Sequence, residues 1–266
     1  MRMCSIASGS SGNCVYVGTE ATHLLVDVGI SCKRTVEGLE KLGLSGKDVD
    51  GILITHEHSD HIQGLGVMSR KFGIPIYATP GTIKAIKSVK SLGAIDEGLF
   101  HEIHADEKMI MKDITINPMK ISHDAAQPVA YRFQYGKHKM AVVTDLGTYD
   151  DYIVESLQGM DALMLEANHD VNMLQVGPYP YYLKQRILGN RGHLSNELSG
   201  RLLSKVMHDN LKAVCLGHLS KENNLAELAY ETVRLEVTMA ENQYKADDFD
   251  IFVANRTELS RMMEVS

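Results

Sequence analysis

Residues 55–64 read THEHSDHIQG, which places His56, His58 and His61 among the acids Glu57 and Asp60 within six positions. Imidazole and carboxylate at this density suit zinc, manganese or iron. In an extended stretch, side chains two apart share a side, so His56 and His58 face one ion. Asp60 and His61 follow on a turn and can face a second. An apolar run, DGILIT, leads straight into the cluster, which favours a metal site over a solvated polar loop. Four side chains cannot complete two metal shells. The missing ligands are expected at other strand ends, and His123, Asp145 and His218 each follow an apolar run that ends in a small or turn-forming sequence.

A string of four residues, GHLS, occurs at 192–195 and again at 217–220. His218 in the second copy ends the run KAVCLGH. His193 in the first follows no apolar run; it comes after YLKQRILGNRG and before a helix that Ser195 can cap. A histidine left over from the metal shells suits general-acid work on a leaving oxygen, and a capping or surface role is the alternative. From Val171 to Asn196 there is no acid, and within this stretch lie Lys184, Arg186 and Arg191 and the aromatics Tyr179, Tyr181 and Tyr182. Basic groups bind phosphates and tyrosine faces stack on bases; the competing reading is an ordered loop with packed tyrosines. The turn SIASGSSGN lacks the lysine of a nucleotide P-loop. It either brings Ser10 and Asn13 near a phosphate or simply closes a hairpin. The stripe Lys84, Lys87 and Lys90 reads as a solvated helix face that can extend a groove.

The elements that must position these groups alternate along the chain. Strands are expected in 22–29, 50–58, 114–124, 139–147, 161–170 and 212–218, where β-branched residues lie between turn signals. Helices are expected over 31–44, 81–93, 195–209 and after Asn224, the last with Glu227 at the capping-box position. The stretch 96–107 reads as a solvated connection. This pattern predicts an α/β protein of sheet layers covered by helices, with polar residues gathered at strand ends. No linker and no 20–50-residue repeat divides the chain, so residues 1–266 are expected to form one domain.

H-x-H-x-D-H followed by a histidine, an aspartate and a histidine at successive strand ends resembles the metallo-β-lactamase superfamily, over most of the chain. The resemblance implies an αββα sandwich, two mixed β-sheets flanked by helices, with a dinuclear centre in the cleft. It implies two divalent ions, Zn2+ or Mn2+: one held by His56, His58 and His123, the other by Asp60, His61 and His218, with Asp145 bridging. Asp27 in LLVDVG matches the family's early aspartate region and would orient the histidine loop or cap a turn. Phosphodiesterases of the superfamily carry an extra histidine before a helix and a glutamate after the strand that follows the bridging aspartate. His193 and Glu166 match those places as a catalytic pair. ASGSSGN, THEHSDH, SHDAAQP, TDLG, EANHD, GPYPYYLKQRILGNRGHLSNE and GHLSKENN together resemble the bacterial YycJ/WalJ group of 5′→3′ DNA exonucleases associated with DNA repair.

The expected activity is therefore metal-dependent phosphodiester hydrolysis at DNA ends, with His193, Glu166 and Asp60 in catalysis. Tyr181, Tyr182, Lys184, Arg186, Arg191, Ser10 and Asn13 are expected to meet a nucleic-acid substrate, DNA before RNA. The alternatives are a small-molecule hydrolase acting on a cyclic phosphodiester, lactone or thioester, an RNA-processing nuclease, and a regulatory protein that keeps the metals for stability. A net charge of −7 argues against binding nucleic acid by bulk charge alone. The four cysteines form no C-x-x-C pair, no run is long enough to span a membrane, and the first residues lack a signal-peptide core, so the cytoplasm is the expected compartment.

Overall fold

The computed structural model describes residues 1–266. Two sheets of seven strands each face one another. The first carries, in spatial order, the strands β14 (Met263–Glu264), β1 (Arg2–Ala7), β2 (Cys14–Gly18), β3 (His23–Val26), β4 (Gly51–Leu53), β5 (Ile76–Ala78) and β6 (Phe100–Glu102). The second carries β13 (Asp250–Val253), β12 (Ala213–Gly217), β11 (Ala162–Glu166), β10 (His138–Val143), β9 (Val129–Tyr135), β8 (Ile114–Lys120) and β7 (Met109–Met111). Each sheet is mixed. β3 through β6 run parallel, and so do β10 through β13, while the remaining pairings are antiparallel.

Alternate residues of each strand go to opposite faces, and this builds three apolar layers. Val15, Val17, Leu24, Val26 and Leu53 from the first sheet meet Ile116, Tyr131, Phe133, Val142 and Met164 from the second. The outer face of the first sheet, with Ile6, Leu25 and Ile52, is covered by α1 (Cys32–Lys41), α3 (Leu65–Phe72) and α4 (Pro80–Ser88). The short α2 (Ser59–Ile62) carries the end of the histidine motif. The outer face of the second sheet, with Val143, Leu165 and Leu216, is covered by α5 (Asp151–Leu157), α8 (Asn196–Val206) and α9 (Ala226–Met239). Burial on both faces explains why the central strands read as continuous apolar runs rather than alternating ones. The order of layers is αββα.

All six expected strands and all four expected helices are present. Three details differ. The 81–93 helix stops at Ser88 and a separate 3₁₀ turn, Lys90–Leu92, follows. The last long helix starts from Leu225 without a capping box, because the Asn224 amide is drawn inward to the carbonyls of Ala167 and Asn168 at 2.9 and 3.0 Å. Within 96–107, β6 extends the first sheet in parallel with β5. The tyrosine-rich stretch is helical: α6 (Val171–Val176) and α7 (Tyr181–Leu188) stand out from the second sheet, and no residue of α7 is buried. All four cysteines are buried free thiols, and no helix is long and apolar enough to cross a membrane.

Candidate metal centre and catalytic pair

The chemistry gathers where parallel strands end. Asp27 follows β3, and Thr55 and His56 lie just beyond β4. Asp145 lies just beyond β10, Glu166 is the last residue of β11, and His218 follows β12. Asp27, Asp145 and His218 turn there with φ of 61°, 59° and 56°. A left-handed backbone costs a residue with a Cβ about 1–3 kcal/mol and persists where surrounding contacts over-determine it. These turns stop the strands abruptly and aim the side chains across the cleft.

His56, His61, His123 and His218 each spend one ring nitrogen on an anchor. His61 Nδ1 donates to Asp27 Oδ2 at 2.7 Å, and the other Asp27 oxygen accepts from the Thr55 N–H at 2.8 Å. Thr55 Oγ1 donates to Asp27 and lies 3.0 Å from His56 Nδ1. His123 Nδ1 donates to the Gly192 carbonyl at 3.0 Å, and His218 Nδ1 donates to Glu166 Oε1 at 2.8 Å. The second nitrogen of each is left facing the same space. His61 Nε2 lies 3.1 Å from Asp145 Oδ2 and 3.6 Å from Asp60 Oδ2. His218 Nε2 lies 3.4 Å from Asp60 and 3.6 Å from Asp145, and His123 Nε2 is 3.3 Å from His58 Nδ1.

Four sets of ligand atoms each converge within 4.8 Å: one joins Asp145, Glu166, His193 and His218, one joins Asp145 to His56 and His61, and two more are His56 with His58 and His123, and Asp60 with His61 and His218. The last two have the composition that the sequence resemblance implies. His56 Nε2 and Asp145 Oδ2 are buried without a hydrogen-bond partner. An orphaned imidazole nitrogen beside an orphaned carboxylate oxygen is costly unless a cation meets both. The donor set therefore fits divalent ions that accept nitrogen and oxygen ligands. Electrostatics agree. Burial works against protonation of His218, yet the carboxylates of Asp145, Asp60 and Glu166 push it up to about 10, which marks a strong local demand for positive charge.

His193 differs from the seven. Its Nδ1 donates to Glu166 Oε1 at 2.9 Å, the same oxygen that receives His218, and its side chain is 19% exposed. Glu166 Oε2 accepts the backbone N–H groups of Leu146 and Leu194 at 2.8 and 3.1 Å. Burial opposes ionisation of Glu166, but the two imidazoles bring it down to about 2. One fixed carboxylate thus orients both GHLS histidines. The two serines also serve alike: Ser195 accepts from the Leu198 N–H at the start of α8, and Ser220 accepts from the Asn223 N–H in a turn.

The expected substrate residues are placed unequally. Tyr181 and Tyr182 are 76% and 73% exposed on α7, ordered but not packed. Arg186 forms a two-pronged pair with Asp124, the neighbour of His123. Arg191 donates twice to the His123 carbonyl, at 3.1 Å each, and Lys184 donates to the Gln175 carbonyl. Arg186 and Arg191 tie α7 and the loop after it to the rim of the centre, and Lys184 ties α7 to α6. Ser10 is exposed at the tip of the 9–12 turn. Asn13 departs from its expected substrate contact: it is buried, its oxygen accepts from the Gly9 N–H, and its amide donates to the Asp60 carbonyl and faces His61. The small amide holds the Gly/Ser turn against the histidine motif.

Several supports are tertiary and were missed in the sequence. Ser8 Oγ accepts from the His218 N–H at 2.7 Å, and the Asn168 amide donates to the His218 carbonyl at 2.8 Å. Asn224 and Asn196 exchange hydrogen bonds at 2.9 Å. Their only signal was asparagine in EANHD, HLSN and KENN beside the functional histidines. His169 pairs its backbone with Ser195, and both its ring nitrogens are buried without a partner; burial pushes it down to about 4.

Fold and centre together define a metallo-hydrolase built on the metallo-β-lactamase sandwich. Residues 22–218 match the Beta-lactamase superfamily domain family, a span that contains all seven candidate ligand positions. The chain is 41% identical over 236 residues to the exodeoxyribonuclease WalJ of Streptococcus pneumoniae strain D39, covering 89% of this chain and 88% of that one. It is 42% identical to the exodeoxyribonuclease YycJ of Bacillus anthracis, covering 86% of each. The solved metallo-β-lactamase fold protein YhfI of Bacillus subtilis superposes with a TM-score of 0.72 over 97% of this chain and 98% of that one, at 16% identity, which speaks for the fold alone. The chain belongs to the metallo-β-lactamase superfamily of hydrolases and, within it, to the family of the WalJ and YycJ exodeoxyribonucleases.

Proposed function

We propose that the protein is an exodeoxyribonuclease that uses two divalent ions, zinc or manganese, and removes nucleotides from DNA ends in the 5′→3′ direction during DNA repair in the cytoplasm. The observation that carries this reading is the 41% identity to WalJ spread over 89% of the chain. Four buried free thiols suit a reducing compartment. Residues 1–266 act as one domain in this reading, because ligands come from both sheets.

His56, His58 and His123 would hold one ion and Asp60, His61 and His218 the other, with Asp145 available to both sets. When bound, two such ions supply a water-derived nucleophile at neutral pH and charge stabilisation for the transferring phosphoryl group. His193, with Nδ1 fixed on Glu166, presents its other ring nitrogen as the general acid that gives a proton to the leaving oxygen. Asp27 and Thr55 keep the His56 and His61 rings in the tautomer that points Nε2 inward. Tyr181 and Tyr182 offer stacking faces for bases on the α7 side of the centre.

A pair of variants tests the assignment of roles. His193→Ala is expected to keep both metals, measured by elemental analysis, and to lose about 10²–10⁴-fold in turnover on DNA. His58→Ala is expected to lose metal as well as turnover. Turnover unchanged in His193→Ala contradicts its acid role, and full metal content in His58→Ala contradicts the ligand set.

A further inference from the structure

A polar space adjoins the candidate metal centre at Asp60 and includes no residue of α7 in its wall. It is a cavity of about 560 Å³ between the 9–12 turn, α2 and the 3₁₀ turn at 90–92. Its wall carries the hydroxyls of Ser10, Ser11, Ser59 and Ser91 and the amide of Gln63. Its one charged lining residue is Asp60, which the centre engages; Ile62, Val89 and Leu92 complete the wall, and no aromatic ring does. Such a lining offers donors to phosphate and ribose oxygens and no face on which a base could stack.

A cation lies beneath one edge of this space. The Arg256 guanidinium packs so closely under Gly9 that a Cβ there would meet Nη1 at 2.5 Å. Nη2 donates to the Leu219 carbonyl at 2.9 Å, while Nη1 is buried with no hydrogen-bond partner. No ion pair joins Arg256 to a carboxylate among the pairs within 4.0 Å. Burial, the largest influence, lowers its pKa, and Glu222 only partly opposes that. The turn bearing Ser10 and Ser11 therefore sits over a buried guanidinium that no carboxylate meets in a direct ion pair. Lys90, exposed beside Ser91, adds a second cation at the far rim.

From this arrangement we propose that the serine-lined cavity is a subsite for the sugar–phosphate backbone of single-stranded DNA next to the scissile phosphate. The inference rests on the exodeoxyribonuclease reading and extends it. The strand crosses the centre with bases directed to the tyrosines of α7 on one flank and backbone oxygens directed to serine hydroxyls on the other. Recognition through the backbone makes this flank indifferent to base sequence.

The test is fluorescence anisotropy of labelled oligodeoxythymidylate on the full chain, with chelator present so that no cleavage occurs. Ser11→Glu and Ser91→Glu are expected to weaken binding about tenfold each, and Ser91→Lys to strengthen it, because backbone affinity follows local charge. Leu235→Glu, an exposed change on α9, adds the same charge outside the cavity and is expected to leave affinity as in the wild type. Circular dichroism melting checks that each variant is folded. Wild-type affinity in Ser11→Glu, Ser91→Glu and Ser91→Lys overturns the subsite, as does an equal loss in Leu235→Glu. Metal-reconstituted wild type is assayed on the same oligonucleotide in parallel. Cleavage there with unmoved affinities sinks the subsite alone, whereas no cleavage sinks the exodeoxyribonuclease reading on which it stands.

Discussion

Two histidines in identical GHLS strings share one carboxylate oxygen, and their surroundings divide the work between them. His218 is 1% exposed and its free nitrogen faces Asp60 and Asp145. His193 is partly open to solvent and can meet a leaving group. The ligands were legible because metal chemistry demands particular side chains at strand ends, and because H-x-H-x-D-H is dense enough to stand out. Their anchors Asp27 and Glu166 were reached only through the family resemblance, and the sharing of Glu166 by His218 was not legible at all, since these contacts are tertiary. Asp27→Ala removes the acceptor that fixes the His61 ring, so metal affinity is expected to fall about 10–100-fold, measured by competition with a chromogenic chelator. Unaltered affinity would reduce Asp27 to a turn cap.

Elements bring these residues together through backbone fit as much as through side chains. A Cβ on Gly29 would lie 1.6 Å from the Asp60 carbonyl oxygen, and one on Gly64 would lie 2.0 Å from the Ile30 carbonyl. The loop after β3 and the histidine motif therefore pack backbone to backbone. Gly29→Ala is expected to cost on the order of 1–3 kcal/mol in stability and to lower metal content, because the 59–61 turn must shift; thermal melting with metal analysis checks both. Strands and main helices were legible from apolar runs and caps. The 171–191 stretch was not, because α7 buries no residue and so shows no apolar stripe to distinguish helix from loop. Its tyrosines are exposed, and Tyr181→Ala with Tyr182→Ala is expected to leave the melting temperature nearly unchanged. The same change is expected to raise KM for DNA about tenfold or more, as lost stacking on one or two bases requires. A fall in stability without a rise in KM would return the tyrosines to a packing role.

At the scale of the molecule, the candidate ligands come from both halves: His56, His58, Asp60 and His61 follow a strand of the first sheet, and His123, Asp145 and His218 follow strands of the second. Ions bound to the folded state alone stabilise it through mass action, by about 4 kcal/mol at a thousandfold excess over Kd. Chelation is expected to lower the melting temperature, and zinc or manganese to restore it. The layered αββα order was legible from the alternation of elements and from the family resemblance. The asparagine braces and the serine-lined cavity were not, because they join segments far apart in the chain. A net charge of −7 does not by itself oppose DNA binding, since the acids of the centre face a site suited to cations and the 171–196 stretch carries none. The central claim is metal-dependent removal of nucleotides from DNA ends. It is tested most directly by incubating metal-reconstituted protein with DNA and RNA labelled at either end and following the products in time. The account predicts release of labelled mononucleotide from 5′-labelled DNA, faster than from RNA and abolished by chelator. Intact DNA with both zinc and manganese, or cleavage that survives chelation, would contradict it.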